Sequence, residues 1–269
     1  MSAVADTIAG MNETHHAARL PSLQGRRVLV TGATGGVGSG IARSFAEAGA
    51  AVAVHYRSNA AAAEQLVAEI ESIGGRAVAV GADLSLPGAA QDLVARSAVE
   101  LGGLDALVNN AGIQPVEPLS ELGRESWDAM FATNVGVVFS LSQAAAQVFE
   151  GGGSITHIAS VEAHRPAAGH AHYASAKAAL LMHARAAALE LGPAGIRVNT
   201  VSPGLVEVPG LAENWPEGVA SWLAHAPLGR LATPRDVGDS CVLLASDAAA
   251  FITGQDLAVD GGMLATPGW

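Results

Sequence analysis

Short apolar runs, several rich in valine, alternate along this chain with longer Ala-rich amphipathic stretches, and few folds accept that alternation. The runs lie at 28–30, 51–54, 76–80, 104–108, 154–158, 197–201 and 255–259. Between them the spacing predicts helices over 41–48, 60–73, 89–101, 127–149, 173–191 and 234–244. Strands that are apolar on both faces and separated by helices belong to a parallel sheet covered on each side. Right-handed crossovers then make it a doubly wound α/β sheet of about seven strands in one domain.

Composition narrows the function. Against 14 Lys+Arg stand 25 Asp+Glu, a formal charge of −11. That balance argues against gripping nucleic acid or anionic lipid. Cys241 is alone, which excludes an internal disulfide and a Cys-based zinc site. No apolar run approaches the roughly 20 residues of a membrane helix. Residues 1–24 carry Asp6, Glu13, His15 and His16 without a basic start and apolar stretch, so no secretory signal is read there. They are expected to form a loosely ordered arm, with the domain spanning 25–269 and the protein in the cytoplasm. The least regular stretch, 204–227, contains Pro209, Pro216 and Pro227. A segment of that length inside a domain marks a functional loop, here a substrate loop.

A glycine cluster, Thr31-Gly32-Ala33-Thr34-Gly35-Gly36-Val37-Gly38, lies directly between the first strand and the first helix. Glycines let backbone approach a pyrophosphate, whose charge a helix N-terminus stabilises. No Lys follows, which excludes a P-loop. The cluster fits TGxxxGxG through Gly36 and TGxxGxxG through Gly35 equally. Past the second strand stand His55, Tyr56, Arg57 and Ser58, with no acid to take the ribose diol of NAD. Arg57 can fork onto a 2′-phosphate, favouring NADP over NAD, although a solvated surface Arg is the plain alternative. Asp83 is placed either to accept from an adenine amino group or to cap a turn. Asn109-Asn110-Ala111-Gly112 is a small-residue corner that fits beside a ribose.

Tyr173 and Lys177 are four apart on a predicted helix and share a face. Ser160 falls just past the fifth strand, at the end of a parallel sheet where ligands bind. A phenol ordinarily titrates near about 10. An ammonium at about 4 Å favours phenolate by roughly 4 kcal/mol at an effective dielectric near 20. The expectation is therefore a Tyr173 phenol pulled down toward neutrality and fit for general acid–base work. A seryl hydroxyl beside it holds the substrate oxygen as charge develops. Asn134 is a poor helix former inside a predicted helix, consistent with a water-borne proton relay or with a satisfied polar residue.

Taken together, these residues resemble the short-chain dehydrogenase/reductase superfamily in its single-domain branch, over about 25–262. The resemblance rests on Thr31 to Gly38, Asp83, Asn109 to Gly112, Asn134, Ser160, Tyr173, Lys177, Asn199 to Gly204 and the ending Gly254 to Gly262. It implies a Rossmann fold and hydride transfer between a nicotinamide and a carbonyl or secondary alcohol. Catalysis would fall to Asn134, Ser160, Tyr173 and Lys177. Cofactor contacts would come from Gly32, Thr34, Gly36, Val37, Gly38, Arg57, Asp83, Leu84, Asn110, Ala111, Gly112, Tyr173, Lys177, Pro203, Gly204 and Val206. It also implies a homodimer or homotetramer. Two departures stand out: Gly35 where NADP members often carry a base, and Val208 where a Thr is usual five positions after Pro203. The latter puts one carboxamide hydrogen bond in doubt.

The longer branch, acting on nucleotide sugars, needs a larger C-terminal domain than the residues after Gly204 supply. A 3-oxoacyl thioester reductase of the same family remains an alternative. A non-catalytic dinucleotide sensor is another, although it would be expected to lose Tyr or Lys. Gln114, Ser160, Glu162, His170 and Trp215 are the candidate substrate residues, with His164 as an alternative to His170. Leu211, Trp215 and Trp222 suit a mobile lid, with an interface or core role for the tryptophans as the alternative. His170 and His172 have a spacing open to metal, but no cysteine or acidic pattern surrounds them and none is expected. A mixed wall of this kind suits a modest oxygenated ketone, alcohol or sugar.

Overall fold

A computed structural model describes residues 20–266; 1–19, with His15 and His16, and 267–269 lie outside the described residues. Seven strands, β1 Arg27–Val30, β2 Ala51–Tyr56, β3 Arg76–Gly81, β4 Ala106–Asn109, β5 Gly153–Ile158, β6 Ile196–Pro203 and β7 Asp256–Val259, form one sheet. Their order is β3-β2-β1-β4-β5-β6-β7, and every pairing is parallel. The order reverses between β1 and β4, which opens a crevice beyond the C-terminal ends of the strands.

Side chains alternate faces along each strand, and the core divides accordingly. Val28 and Val30 of β1 and Val52 and Val54 of β2 face one way, against helices α1 Gly36–Glu47, α2 Ala60–Ser72 and α9 Pro234–Ala245. Leu29 and Ala53 face the other way with Leu107, Ile155 and Val198, against α3 Ala89–Leu101, α5 Val137–Val148 and α6 Ala171–Leu191. Leu29, Leu107 and Ile155 are fully buried, and each contributes on the order of 2 kcal/mol relative to exposure.

Three expectations change. The packed domain begins before residue 25: Leu23 is buried, and its N–H donates to the Ala48 carbonyl at 2.7 Å. The expected helix 127–149 is three segments, α4 Arg124–Phe131, a π-helical turn Ala132–Gly136, and α5. This stretch is long and apolar enough to cross a bilayer, but Met130, Leu141, Ala144 and Ala145 on it are buried within the domain. Within the expected irregular stretch 204–227, two helices form, α7 Leu211–Asn214 and α8 Pro216–His225, the second with Pro216 in its first turn where its missing N–H costs nothing.

Candidate active site

The glycine turn is built by close approach. Gly32 has φ +62°, and a Cβ at Gly38 would run into the Gly32 carbonyl. The turn is stitched to both neighbouring strands. Asn110 Nδ2 donates to the carbonyls of Thr31 at 2.9 Å and Gly32 at 3.1 Å, and Thr31 Oγ1 accepts from the N–H groups of Asn110 and Ala111. On the other side the Gly32 N–H donates to His55 Nδ1 at 3.0 Å, so His55 Nε2 carries the ring proton and donates to the Ala82 carbonyl at 3.1 Å. Burial pushes His55 below the ordinary histidine range and favours that neutral form.

A cavity of about 800 Å³ opens along this turn, lined by Gly32, Thr34, Gly36, Val37, Gly38, Arg57, Asp83, Leu84, Asn110, Ala111 and Gly112. The N-terminus of α1 faces it from Gly36. These residues fit a dinucleotide: backbone N–H groups and a helix end for the pyrophosphate, and a cation at the outer rim. Arg57 is exposed, with no hydrogen bond or ion pair among the described residues. The Asp83 carboxylate caps a turn, Oδ1 accepting from the Ser85 N–H at 3.0 Å and hydroxyl at 2.7 Å, and also stands in the cavity wall. Val208 packs so tightly on Gly36 that a Cβ there would collide with it. The valine therefore closes over the glycine turn by contact rather than by a hydroxyl.

A second cavity, about 650 Å³, shares Val37, Asn110, Gly112 and Ile113 with the first. Ser160, Tyr173, Lys177, Pro203, Gly204 and Val206 line it, together with Gln114, Glu162, His170 and Trp215. Ser160 follows the end of β5, while Tyr173 and Lys177 lie on successive turns of α6; the three are 8%, 8% and 6% exposed. These three side chains are thus buried in the wall of a pocket that adjoins the glycine-turn crevice.

The electrostatics overturn one expectation. Lys177 Nζ donates to the Ile158 carbonyl at 2.7 Å and lies 5.5 Å from the Tyr173 ring centre. Burial pushes the Tyr173 phenol up to about 12; the Ser160 hydroxyl opposes this and the Glu162 carboxylate adds to it. Burial pushes the Lys177 ammonium down to about 8. Desolvation penalises both charged forms and outweighs their mutual attraction. Tyr173 is therefore a protonated donor in this state.

Asn134 is also corrected. It is 1% exposed and lines neither cavity. Oδ1 accepts from the Ile113 N–H at 2.9 Å, and Nδ2 donates to the Ile113 carbonyl at 2.8 Å and to Met130 Sδ at 3.0 Å. Its side chain is committed to Ile113, which lines both cavities, so it fastens the pocket wall. The π-helical turn presents it there; such turns recur at functional sites.

His164 is not in the pocket: Nε2 pairs with Asp256 Oδ2 at 2.7 Å. His172 is fully buried with neither ring nitrogen hydrogen-bonded. No cluster of metal-binding type occurs among the described residues. Leu211, Trp215 and Trp222 line the pocket, and Trp222 is packed against Gly204. Met263, Leu264 and Arg165 also line it, and sequence reasoning missed them. Arg165 donates to the carbonyls of Met263 at 3.3 Å and Thr266 at 2.9 Å, which fastens the C-terminal turn beside the cavity. Nothing local in the sequence marks those contacts. His55 was in view beside Arg57, but its task depends on strand register.

The family model described as enoyl-(acyl carrier protein) reductase matches residues 32–264. L-rhamnose 1-dehydrogenase (NAD(P)(+)) of Sphingomonas sp. (strain SKA58) is 40% identical over 250 residues, 90% of this chain and 97% of that one. 3beta-hydroxysteroid dehydrogenase 1 of Eggerthella lenta is 37% identical over 252 residues, 92% of this chain and 97% of the other. The solved structure of 7α-hydroxysteroid dehydrogenase, with NADH and 7-oxo glycochenodeoxycholic acid, superposes with TM-score 0.85 at 37% identity, covering 90% of this chain and 95% of that one. With the seven-stranded sheet and the two joined cavities, these likenesses show that the chain belongs to the short-chain dehydrogenase/reductase superfamily and is an NAD(P)-dependent oxidoreductase of alcohol and carbonyl groups.

Proposed function

We propose that the second cavity interconverts a modest-sized oxygenated ketone and its secondary alcohol through Ser160, Tyr173 and Lys177, with NADP as the favoured dinucleotide. The observation that carries this is that those three buried side chains line one cavity, which shares Val37, Asn110, Gly112 and Ile113 with the glycine-turn crevice. When bound, the nicotinamide supplies or takes up the hydride. In reduction Ser160 holds the substrate oxygen and the Tyr173 phenol gives it a proton; in oxidation the phenolate takes that proton back. Lys177, held between the Ile158 carbonyl and the Tyr173 ring, is placed to steady the phenolate and to reach a ribose hydroxyl. Leu211, Trp215 and Trp222 cover the site and exclude water.

Replacing Tyr173 by Phe is expected to lower turnover at least about a hundredfold. NADPH affinity should change by no more than about fivefold, the worth of one hydrogen bond. Wild-type turnover in that variant would defeat the mechanism.

The NADP preference is supported by Arg57, which is exposed at the crevice rim and free of partners among the described residues. Arg57→Asp is expected to move the kcat/KM ratio of NADPH to NADH toward NADH by at least about tenfold, the loss of a charge-assisted pair. An unchanged ratio would show that the selector lies elsewhere.

A further inference from the structure

The residues that line the cavity fall into two chemical groups. One is apolar: Leu211, Trp215, Trp222, Met263 and Leu264. The other is a connected polar set. Glu162 Oε2 and Oε1 lie 2.8 and 3.0 Å from His170 Nδ1, and Gln114 Nε2 donates to Oε1 at 3.3 Å. A carboxylate only accepts, so the His170 proton is on Nδ1 and the ring is oriented by Glu162. Its other nitrogen, Nε2, is buried with no hydrogen-bond partner among the described residues.

This polar group is tied to the reacting atoms. The Glu162 N–H donates to Ser160 Oγ at 3.1 Å, so the carboxylate rises from the same turn as the hydroxyl that holds the substrate oxygen. His170 caps the start of α6, three residues before Tyr173, and its ring meets the phenol ring edge-on with centres 5.7 Å apart. A substrate oxygen lodged between Ser160 and Tyr173 therefore has Glu162 and His170 beside it. Each of those two side chains is only 14% exposed. A carboxylate so enclosed gains from a further donor, and its oxygens, with about four acceptor directions, are only partly used by Gln114 and His170.

Resting on the reading of the site given above, we propose that Glu162 and His170 are a hydroxyl-reading pair that selects a neutral ring carrying a second hydroxyl next to the reacting carbon. The adjacent hydroxyl donates to Glu162, while Gln114 and His170 hold the carboxylate in place for it. The same negative charge repels carboxylates and phosphates. The apolar residues receive the hydrocarbon face of the ring. A site built to bond a hydroxyl discriminates strongly against the analogue that lacks it, because its own polar groups are then left unpaired.

The test is oxidation of vicinal cyclohexanediol, cyclohexanol and a dihydroxycyclohexane carboxylate, with NADP and NAD in parallel. The wild-type protein is compared with Glu162→Gln and, as a second variant, His170→Asn. The diol is expected to exceed cyclohexanol in kcat/KM by about 10- to 100-fold, and the acid to be the poorest substrate. In Glu162→Gln the diol should fall toward cyclohexanol and the acid should gain on both. His170→Asn should narrow the diol-to-alcohol ratio in the same direction. Turnover of cyclohexanol with no preference for the diol, or a preference that neither variant alters, would overturn the pair's role while leaving the Ser160–Tyr173–Lys177 reading intact. Absence of turnover with all three alcohols would overturn both.

Discussion

At the scale of single residues, Tyr173 is governed by where it sits more than by what stands next to it. An adjacent ammonium should acidify a phenol, but Lys177 gives its short hydrogen bond to the Ile158 carbonyl, and burial penalises the charge on both groups. The phenol is thus ready to donate, and making the phenolate demands charge or contacts that arrive with ligands. The chain has two tyrosines, so a Tyr56→Phe protein reports on Tyr173 alone. Ultraviolet titration of that protein without dinucleotide is expected to show no phenolate up to about pH 10, the ordinary phenol midpoint. Ionisation near neutrality would mean that the lysine outweighs burial. Asn134 teaches the same lesson in reverse: the sequence marks it as out of place in a helix, and the structure spends its side-chain amide on Ile113 and Met130.

At the scale of elements, periodicity located nearly every strand and helix, because a buried parallel sheet demands continuous apolar runs and the covering helices demand a stripe. It misjudged the ends. Strand β6 runs to Pro203, two residues beyond the expected stop, which carries the chain directly into the pocket wall at Gly204. The π-helical turn was not read from the sequence because it is defined by which carbonyl each N–H reaches, and no residue of Ala132–Gly136 marks that choice. The helices α7 and α8 were masked by Pro209, Pro216 and Pro227, residues that mark breaks but also sit well in a first helical turn. Packing reveals the consequence: Trp222 lies on Gly204 so closely that a Cβ there would overlap the indole, which ties the lid to the strand end beneath it.

At the scale of the whole molecule, buried histidines link acidity to stability. His157, fully buried, is bonded to Asn109 at 3.1 Å and to His183 at 3.0 Å, and burial pushes it down to about 3. His55 and His183 are lowered as well. Each titrates near about 6.5 when unfolded. Below that value the unfolded chain binds more protons than the folded one. Stability is therefore fully present above about pH 6.5 and is lost as pH falls toward the folded-state values. His157 alone is expected to remove about 1.0 kcal/mol between pH 6.5 and 5.5. Urea unfolding should show this slope, and His157→Asn should reduce it by about that amount. The carboxylates Asp105 and Asp236 are held low and act only below about pH 4, outside this window. An identical slope in the variant would place the acid sensitivity elsewhere.

By itself the sequence determined the layered sheet, the glycine turn and most of the residues that line the crevice beside it, since these depend on local period, on backbone freedom at Gly32 and Gly38, and on residue chemistry. Tertiary structure alone decided the protonation of Tyr173, the commitment of Asn134 to Ile113, the departure of His164 to Asp256, and the closing of the pocket by Trp222, Met263 and Leu264. Those outcomes rest on desolvation and on contacts between segments far apart in the chain, and neither is written in any short stretch of residues.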